Sequence, residues 1–442
     1  MADVLFWCVF IIEITFVAYS IYTKSNQDKF KNYLRTGGLV LFILLILTSI
    51  LQWSFRWYGL SILIFIWALL GLRGLLRKKP GQDNYNIGVT LFKGILTILL
   101  AFLVLIPAFI FPQHNLPKVS GKYPVSTAVF TYTDDQRVET FSKSGAHRNV
   151  NVEFWYPTGV QGKYPLVVFS HGAFGLKTSN TSTYTELASN GYVVCAIDHP
   201  YHVLFTMGSD RRPVTVDPAF FQEVLDVNNG KYSEADGYKI EQKWLKLRTD
   251  DINFVLNTII GQAQNSASPA VYQLIDPQKI GLMGHSLGAA ASAQVARERS
   301  DIAAVVNLDA DLLGEYVAYQ DGKYQLNPQK YPVPILTILA DDMLRLIDVV
   351  PDAASVIAVK HVNATAPHAY EVHIGGTDHQ SLTDLPITSP IMVNLITTSV
   401  EKAGGGETAD KYYVIETMND LVLSFFNVYL KGEGKFTPAA AY

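Results

Sequence analysis

Cysteine is almost missing from this 442-residue chain, which has only Cys8 and Cys195. One lies in an apolar run and the other in a strand-like stretch, so no disulfide framework is implied, and neither has the partner spacing of a zinc or redox site. Both read as small buried apolar residues, so cysteine does not reveal the compartment. Charge is scarce too: charged residues make up 17% of the chain and hydrophobic ones 49%. That is too apolar for an ordinary soluble protein of this size. The net charge is -4, with no lysine or arginine block outside the loops between apolar runs. Nucleic acid therefore has no electrostatic footprint to bind. There is no His-Glu-x-x-His pattern and the histidines lack paired ligand spacing, so neither a metal nor another cofactor is expected. No internal repeat is visible, and Gly404-Gly405-Gly406 reads as a loop, not a phosphate cradle.

What the chain has in excess is apolar length at its front. Four runs, near residues 4–22, 37–53, 58–72 and 91–111, approach the ~20 residues a helix needs to cross a bilayer. The third is the shortest. Lys24, Lys29, Lys31 and Arg35 separate the first two runs, and Arg73, Arg77, Lys78 and Lys79 separate the last two. Only Arg56 lies between the second and third. By the positive-inside rule the N-terminus and everything beyond Phe111 lie outside. The expectation is a multi-pass cell-membrane protein with a transmembrane region at 1–112 and an extracytoplasmic domain at 113–442. Met1-Ala2-Asp3 has no basic leader, so the first run reads as a retained anchor and not a removed signal. Glu13 sits inside it. A carboxylate there suggests proton handling, or more plainly a helix contact.

Beyond residue 112, apolar runs alternate with helical segments. The runs are Val150–Trp155, Leu166–Ser170, Tyr192–Ile197, Lys279–Met283, Ile302–Leu308, Val333–Ala340 and Tyr370–Ile374, with an edge strand near Ser126–Tyr132. Helices are expected near Ser179–Asn190, Lys243–Ile260, Ser286–Arg297 and Lys411–Tyr429. Such alternation argues a mostly parallel sheet covered by helices, the α/β-hydrolase pattern. Residues 201–242 exceed what the sheet needs and read as a cap, with Tyr201, Phe205, Phe220 and Phe221 as acyl-pocket or membrane-facing candidates. A solvated insertion without substrate contact is the plainer alternative.

Gly284-His285-Ser286-Leu287-Gly288 follows the run Ile280-Gly281-Leu282-Met283 and opens an alanine-rich stretch from Ala289 to Ala296. Strand, sharp turn and helix are the setting of a nucleophilic serine elbow, with glycines on either side so that backbone can pack close. Ser286 is the expected nucleophile. It needs a histidine to take its proton and a carboxylate to orient that histidine, in the chain order serine, acid, histidine. His379 stands in the turn-rich Gly375-Gly376-Thr377-Asp378-His379-Gln380 after the last strand and is the expected base. His373 reads as a packing residue inside the strand, and His361 and His368 fall in irregular sequence. Two strand ends offer the acid, Asp309 on one and Asp341 or Asp342 on the other, and residue spacing does not separate them. Asp311, Asp378 and Asp384 read as loop and capping carboxylates. Acyl transfer also needs two backbone N–H groups for the oxyanion. Leu287 and Ala173, the latter in Ser170-His171-Gly172-Ala173-Phe174-Gly175, are the expected donors. His171 and His285 read as braces for loop and elbow.

Phe169-Ser170-His171-Gly172, Gly284-His285-Ser286-Leu287-Gly288, Asn307-Leu308-Asp309 and Asp378-His379-Gln380 resemble the plasma-type platelet-activating-factor acetylhydrolase family over roughly residues 120–430. The stretch from Arg148 to Trp155-Tyr156-Pro157 is similar as well. The resemblance favours Asp309 as the acid. It implies a metal-free esterase acting on esters with short or oxidised acyl chains on phospholipids. Polyester-hydrolase-like and dienelactone-hydrolase-like families share the elbow, so the motifs speak more strongly for ester hydrolysis than for the phospholipid. The four N-terminal runs and the 201–242 insertion depart from familiar members. The first expectation is a membrane-anchored serine ester hydrolase whose partners are the membrane and a lipid or other ester, with the oligomeric state left open. A catalytically silent hydrolase fold used as a binding or sensing module is the second. A transport or signalling bundle, resting on Glu13 alone, is the third.

Overall fold

Long stretches of apolar residues wind into α1 (Ala2–Thr23), α2 (Asp28–Leu47), α3 (Tyr58–Leu76) and α4 (Ile87–Ile110) in a computed structural model. The structure describes residues 1–76, 85–207, 212–350, 352–396 and 408–442. All four helices are long and apolar enough to cross a membrane. Caps mark some of the ends: the Asn86 side chain accepts from the Val89 N–H to start α4, and Lys24 turns left-handed to stop α1. The second helix departs from the apolar run expected at 37–53. It starts at Asp28 and stops at Leu47, because the lysines and arginine before the run are good helix formers and Ser49 takes a positive φ after it. α3 likewise continues to Leu76, past the expected end at 72. Glu13 is buried and pairs with Lys31 of α2 at 3.7 Å, so its carboxylate makes a helix contact. Cys8 is exposed on α1 rather than buried. Burial in protein was the wrong inference there, since an apolar side chain on a membrane helix can also face outward. Arg77, Lys78, Lys79 and Gly404-Gly405-Gly406 lie outside the described residues.

The chain divides into two compact units, Met1–Asn115 with Ile387–Ile396, and Leu116–Pro386 with Thr397–Tyr442. The late segment in the first unit had no signal in the sequence. Within it, the Ser389 hydroxyl donates to the Ile110 carbonyl at 2.6 Å.

The second unit is built on β1 (Val125–Val138), β2 (His147–Pro157), β3 (Tyr164–Ser170), β4 (Val193–Asp198), β5 (Phe205–Met207), β6 (Pro213–Thr215), β7 (Ile275–His285), β8 (Ile302–Leu308), β9 (Tyr316–Gln320), β10 (Lys323–Leu326), β11 (Ile335–Leu339) and β12 (Ala369–His373). The main sheet has eight strands in the order β1-β2-β4-β3-β7-β8-β11-β12. It is antiparallel through β4 and parallel from β4 onward. Every apolar run expected to be a strand is one. Side chains alternate between two cores. Leu166 and Val168 of β3 face the cluster under the helices α7 (Glu234–Gln264), α8 (Ala270–Gln273) and α9 (Leu287–Glu298), whereas Val167 and Phe169 face that under α5 (Thr181–Ser189) and the closing helix Lys411–Phe426. Each such fully buried side chain is worth about 1.5–3 kcal/mol, which fixes the register because a one-residue slip would exchange the two faces.

The expected helix at Lys243 begins at Glu234, where the Ser233 side chain caps it by accepting from Asp236 N–H at 3.2 Å. The stretch 201–242 is therefore largely regular: the β5–β6 hairpin, a helix α6 (Pro218–Asn228) capped by Asp217, and the first turns of α7. Sequence composition hid this because polar and aromatic residues share its faces. The carboxyl ends of the parallel strands β3, β7, β8 and β11 lie together, where open α/β sheets bind ligands.

Candidate active site

The turn between β7 and α9 carries Ser286, with φ 52° and ψ −132°. A non-glycine residue there stores about 1–3 kcal/mol of strain, held only by what surrounds it. What surrounds it is backbone. A Cβ on Gly288 would fall on the Ser170 carbonyl, and one on Gly284 would meet the Gly288–Ala289 backbone. The Ser286 N–H donates to the Leu308 carbonyl at 3.0 Å, tying the elbow to the end of β8. The elbow opens α9, whose first turn closes on the Ser286 carbonyl through the N–H groups of Ala289 at 2.8 Å and Ala290 at 3.1 Å.

One residue past β8, Asp309 also has a positive φ, 52°. Asn307 holds this turn: its side-chain amide donates to the Ala310 carbonyl and its oxygen accepts from Ala310 N–H, both at 3.0 Å. Asp309 is 3% exposed at its side chain, against 28% for His379. His379 Nδ1 lies 2.6 Å from Asp309 Oδ2. A carboxylate can only accept, so Nδ1 carries the proton and Nε2 is left as the acceptor. Burial pushes the Asp309 carboxyl up, but the bond from His379 and the Ala340 N–H on its other oxygen, at 2.8 Å, hold it below the usual range. His379 opens a short 3-10 helix capped by Asp378, which accepts from Ser381 N–H at 2.8 Å. The other candidate acid meets another imidazole: His373 Nε2 donates to Asp341 Oδ1 at 2.6 Å. His373 is thus a partner of Asp341 and not a packing residue. Asp342 pairs with Arg345 in the first turn of the helix Asp341–Val349.

His285 donates from Nε2 to the His379 carbonyl at 2.9 Å, and burial followed by the neighbouring His379 lowers it to about 3. It is a neutral brace. Gly172 packs against the same turn, since a Cβ there would stand 2.9 Å from His285 Nδ1 and 3.1 Å from Ser286 Cβ. The loop after β3 therefore rests on the serine. Ala173 and Leu287 both pack on a small apolar cluster of Phe220, Val224 and Trp244. Phe174 lies 5.4 Å from Phe220 and 5.1 Å from Phe221, ring to ring. Tyr201 instead stacks on Phe141 at 4.8 Å, and Phe205 is exposed on β5, so neither joins this wall.

A second serine, histidine and aspartate stand in line beneath the loop. The Ser170 hydroxyl donates to His199 Nε2 at 2.9 Å, and His199 Nδ1 donates to Asp251 at 3.0 Å. All three are buried, and Arg148 grips Asp251 through two bonds of 2.7 Å. Nothing can reach this serine, so the array braces the loop. Reading along the chain missed it because its members come from β3, the end of β4 and the middle of α7. Among the described residues, no group of three histidine, cysteine, aspartate or glutamate side chains is placed to hold a metal.

The family described as "Platelet-activating factor acetylhydrolase, isoform II" matches residues 141–437, well over half of the chain. The chain belongs to that family. Relatives named platelet-activating factor acetylhydrolase include one from Gallus gallus, 22% identical over 51% of this chain and 54% of its own length. One from Canis lupus familiaris is 25% identical over 34% of this chain and 36% of its own. The chain thus spans about half, or less, of these relatives' length. A ferulic acid esterase from Streptomyces cinnamoneus superimposes with a TM-score of 0.56 over 74% of this chain and 96% of the esterase, at 18% identity. That likeness, with the mostly parallel sheet, shows the α/β-hydrolase fold.

Proposed function

We propose that the chain is a membrane-anchored serine ester hydrolase, with a transmembrane region at 1–112 and a catalytic domain at 113–442. The observation that carries this is the Asp309–His379 bond standing at the same sheet edge as the strained Ser286 elbow. Ser286 Oγ attacks the ester carbonyl carbon while His379 Nε2 takes its proton. Asp309 holds the imidazole in the needed tautomer and stabilises its charged form. The oxyanion is met by the N–H groups of Ala173 and Leu287. The alkoxide leaves with the proton from His379, and water then releases the acyl group from Ser286 by the same steps in reverse order. No metal or cofactor takes part. The substrates are phospholipid-like esters with short or oxidised acyl chains. The names of the relatives support this, and so does the wall of Phe174, Phe220 and Phe221 closing over the oxyanion loop. The basic loops around the four apolar helices support an extracytoplasmic side for the catalytic domain.

A membrane-impermeant fluorophosphonate, applied to intact cells and to lysed membranes, tests both the chemistry and the side. Label on the Ser286 peptide in both samples is expected, none in Ser286→Ala, and turnover of short-chain esters falling by on the order of 10⁶-fold in that variant. Label only after lysis would reverse the topology. No label on folded protein would favour a silent binding or sensing module instead.

A further inference from the structure

Helix α7 carries a fully buried arginine, Arg248, into the back of the oxyanion loop. Its Nη1 donates to the His171 carbonyl at 2.6 Å, its Nη2 to the Gly172 carbonyl at 3.2 Å, and its Nε to His202 Nδ1 at 3.3 Å. No carboxylate is among these partners. The cation is aimed at two consecutive peptide units, and those units belong to the loop that rests on Ser286. A trans peptide is planar, with its N–H opposite its C=O. Drawing the carbonyls of residues 171 and 172 toward Arg248 therefore turns the N–H groups of Gly172 and Ala173 away from it. The Gly172 carbonyl is further held by the His171 imidazole at 2.6 Å and by the Gly175 N–H at 3.1 Å. The third bond of Arg248 extends the same hold outward, because His202 stacks on Phe220 of α6 with centroids 3.7 Å apart. A bare packing role would not need a fork of donors on adjacent carbonyls, and a buried guanidinium is costly unless its N–H groups are used.

We propose that Arg248 is a positioning residue of the oxyanion hole: it fixes the two peptide planes that aim the Ala173 N–H at the developing oxyanion, and it couples them through His202 to the cap helix. The inference rests on the ester hydrolase reading above. It differs from a structural role in what it does to transition-state binding. Loss of a direct oxyanion donor costs about 10²–10³ in kcat, and loss of a group that only holds that donor in place should cost less, about tenfold to a hundredfold.

The test uses the full detergent-solubilised chain with Arg248→Lys, which keeps the buried charge but cannot fork onto both carbonyls, and Arg248→Ala. Each is assayed on a short-chain ester and against a boronic acid that forms a tetrahedral adduct on an activated serine. The expected result is a kcat lowered about tenfold to a hundredfold, KM within about threefold of the parent, and the boronate inhibition constant raised in step with the loss in kcat/KM. A variant that is merely less well folded would lose kcat through its active fraction, with KM and the inhibition constant unmoved, and that would overturn the proposal. Parental kcat and inhibition in a folded Arg248→Lys would overturn it as well. A parent that neither hydrolyses esters nor takes up the boronate would fail the underlying reading instead, which the parent assay separates from failure of Arg248.

Discussion

At the residue scale the sharpest question is which carboxylate serves the proposed catalytic histidine, because two strand ends present one each. Asp309 meets His379 and Asp341 meets His373, both at 2.6 Å, so distance does not rank them. Environment does. Asp309 is almost wholly enclosed and its second oxygen is occupied by the Ala340 N–H, whereas Asp341 and His373 are each about a quarter exposed. An exposed pair of that kind contributes at most about 1 kcal/mol. Asp309→Asn should therefore keep the fold and lower kcat by about 10⁴-fold, through the wrong imidazole tautomer. Asp341→Asn should leave kcat within about threefold, since a surface pair of that strength does not reach the serine. Steady-state ester hydrolysis of the two variants decides it, and the reverse ranking would move the acid to Asp341. Residue types and chain order point to Ser286 and His379, but spacing left the acid open, because pairing is a matter of which imidazole each carboxylate meets across the sheet edge. Only the family resemblance leaned to Asp309.

At the scale of elements, the strands were legible because fully buried strands read as continuous apolar runs, and their two-sided burial requires it. The insertion was not, because α6 and the start of α7 bury only one stripe each and their polar faces look like loop. The elbow is the element where sequence and geometry meet most tightly. Gly288 passes so close to the Ser170 carbonyl that any Cβ must displace backbone, which no side-chain rotation can relieve. Gly288→Ala should cost about 1–3 kcal/mol of stability and silence Ser286 by shifting the β3 loop. Gly261, inside α7 with nothing within 4 Å of its virtual Cβ, supplies the contrast. Gly261→Ala should gain about 0.5–1 kcal/mol from the entropy a helical glycine forfeits. Denaturant midpoints of the two variants should move in opposite directions; equal losses would mean that α7 is under a constraint its open surroundings do not explain.

For the molecule as a whole, the least legible feature is the buried polar layer beneath the oxyanion loop, whose members His171, His199, His202, Arg248, Asp251 and Arg148 come from four separate stretches of chain. No pattern along a sequence marks such a layer, since each residue is an ordinary polar side chain until the fold surrounds it. Its consequence is a dependence of stability on pH. Burial holds His171, His199, His202 and His285 below the ordinary imidazole value, and His199 and His285 fall to about 3. The folded chain therefore refuses protons that the unfolded chain accepts below about pH 6.5. With more protons bound in the unfolded state, stability rises with pH, so it is lost as pH falls from about 6.5 toward 3. Asp384 and Glu241 work the other way. Burial lifts each to about 7, so their contribution is complete below the unfolded carboxyl value and is lost as pH rises through 7. Burial raises the Asp311 and Glu153 carboxyls as well, and these act with Asp384 and Glu241 against the histidines. Between pH 6.5 and 5 the histidines should win, because in this window the unfolded chain takes up protons at all four that the folded chain refuses. Circular dichroism melts of the detergent-solubilised chain at pH 7, 6 and 5 should show a midpoint that drops steadily. A midpoint that holds or climbs toward pH 5 would mean that the layer takes up protons without opening, and that its histidines are not kept neutral by burial.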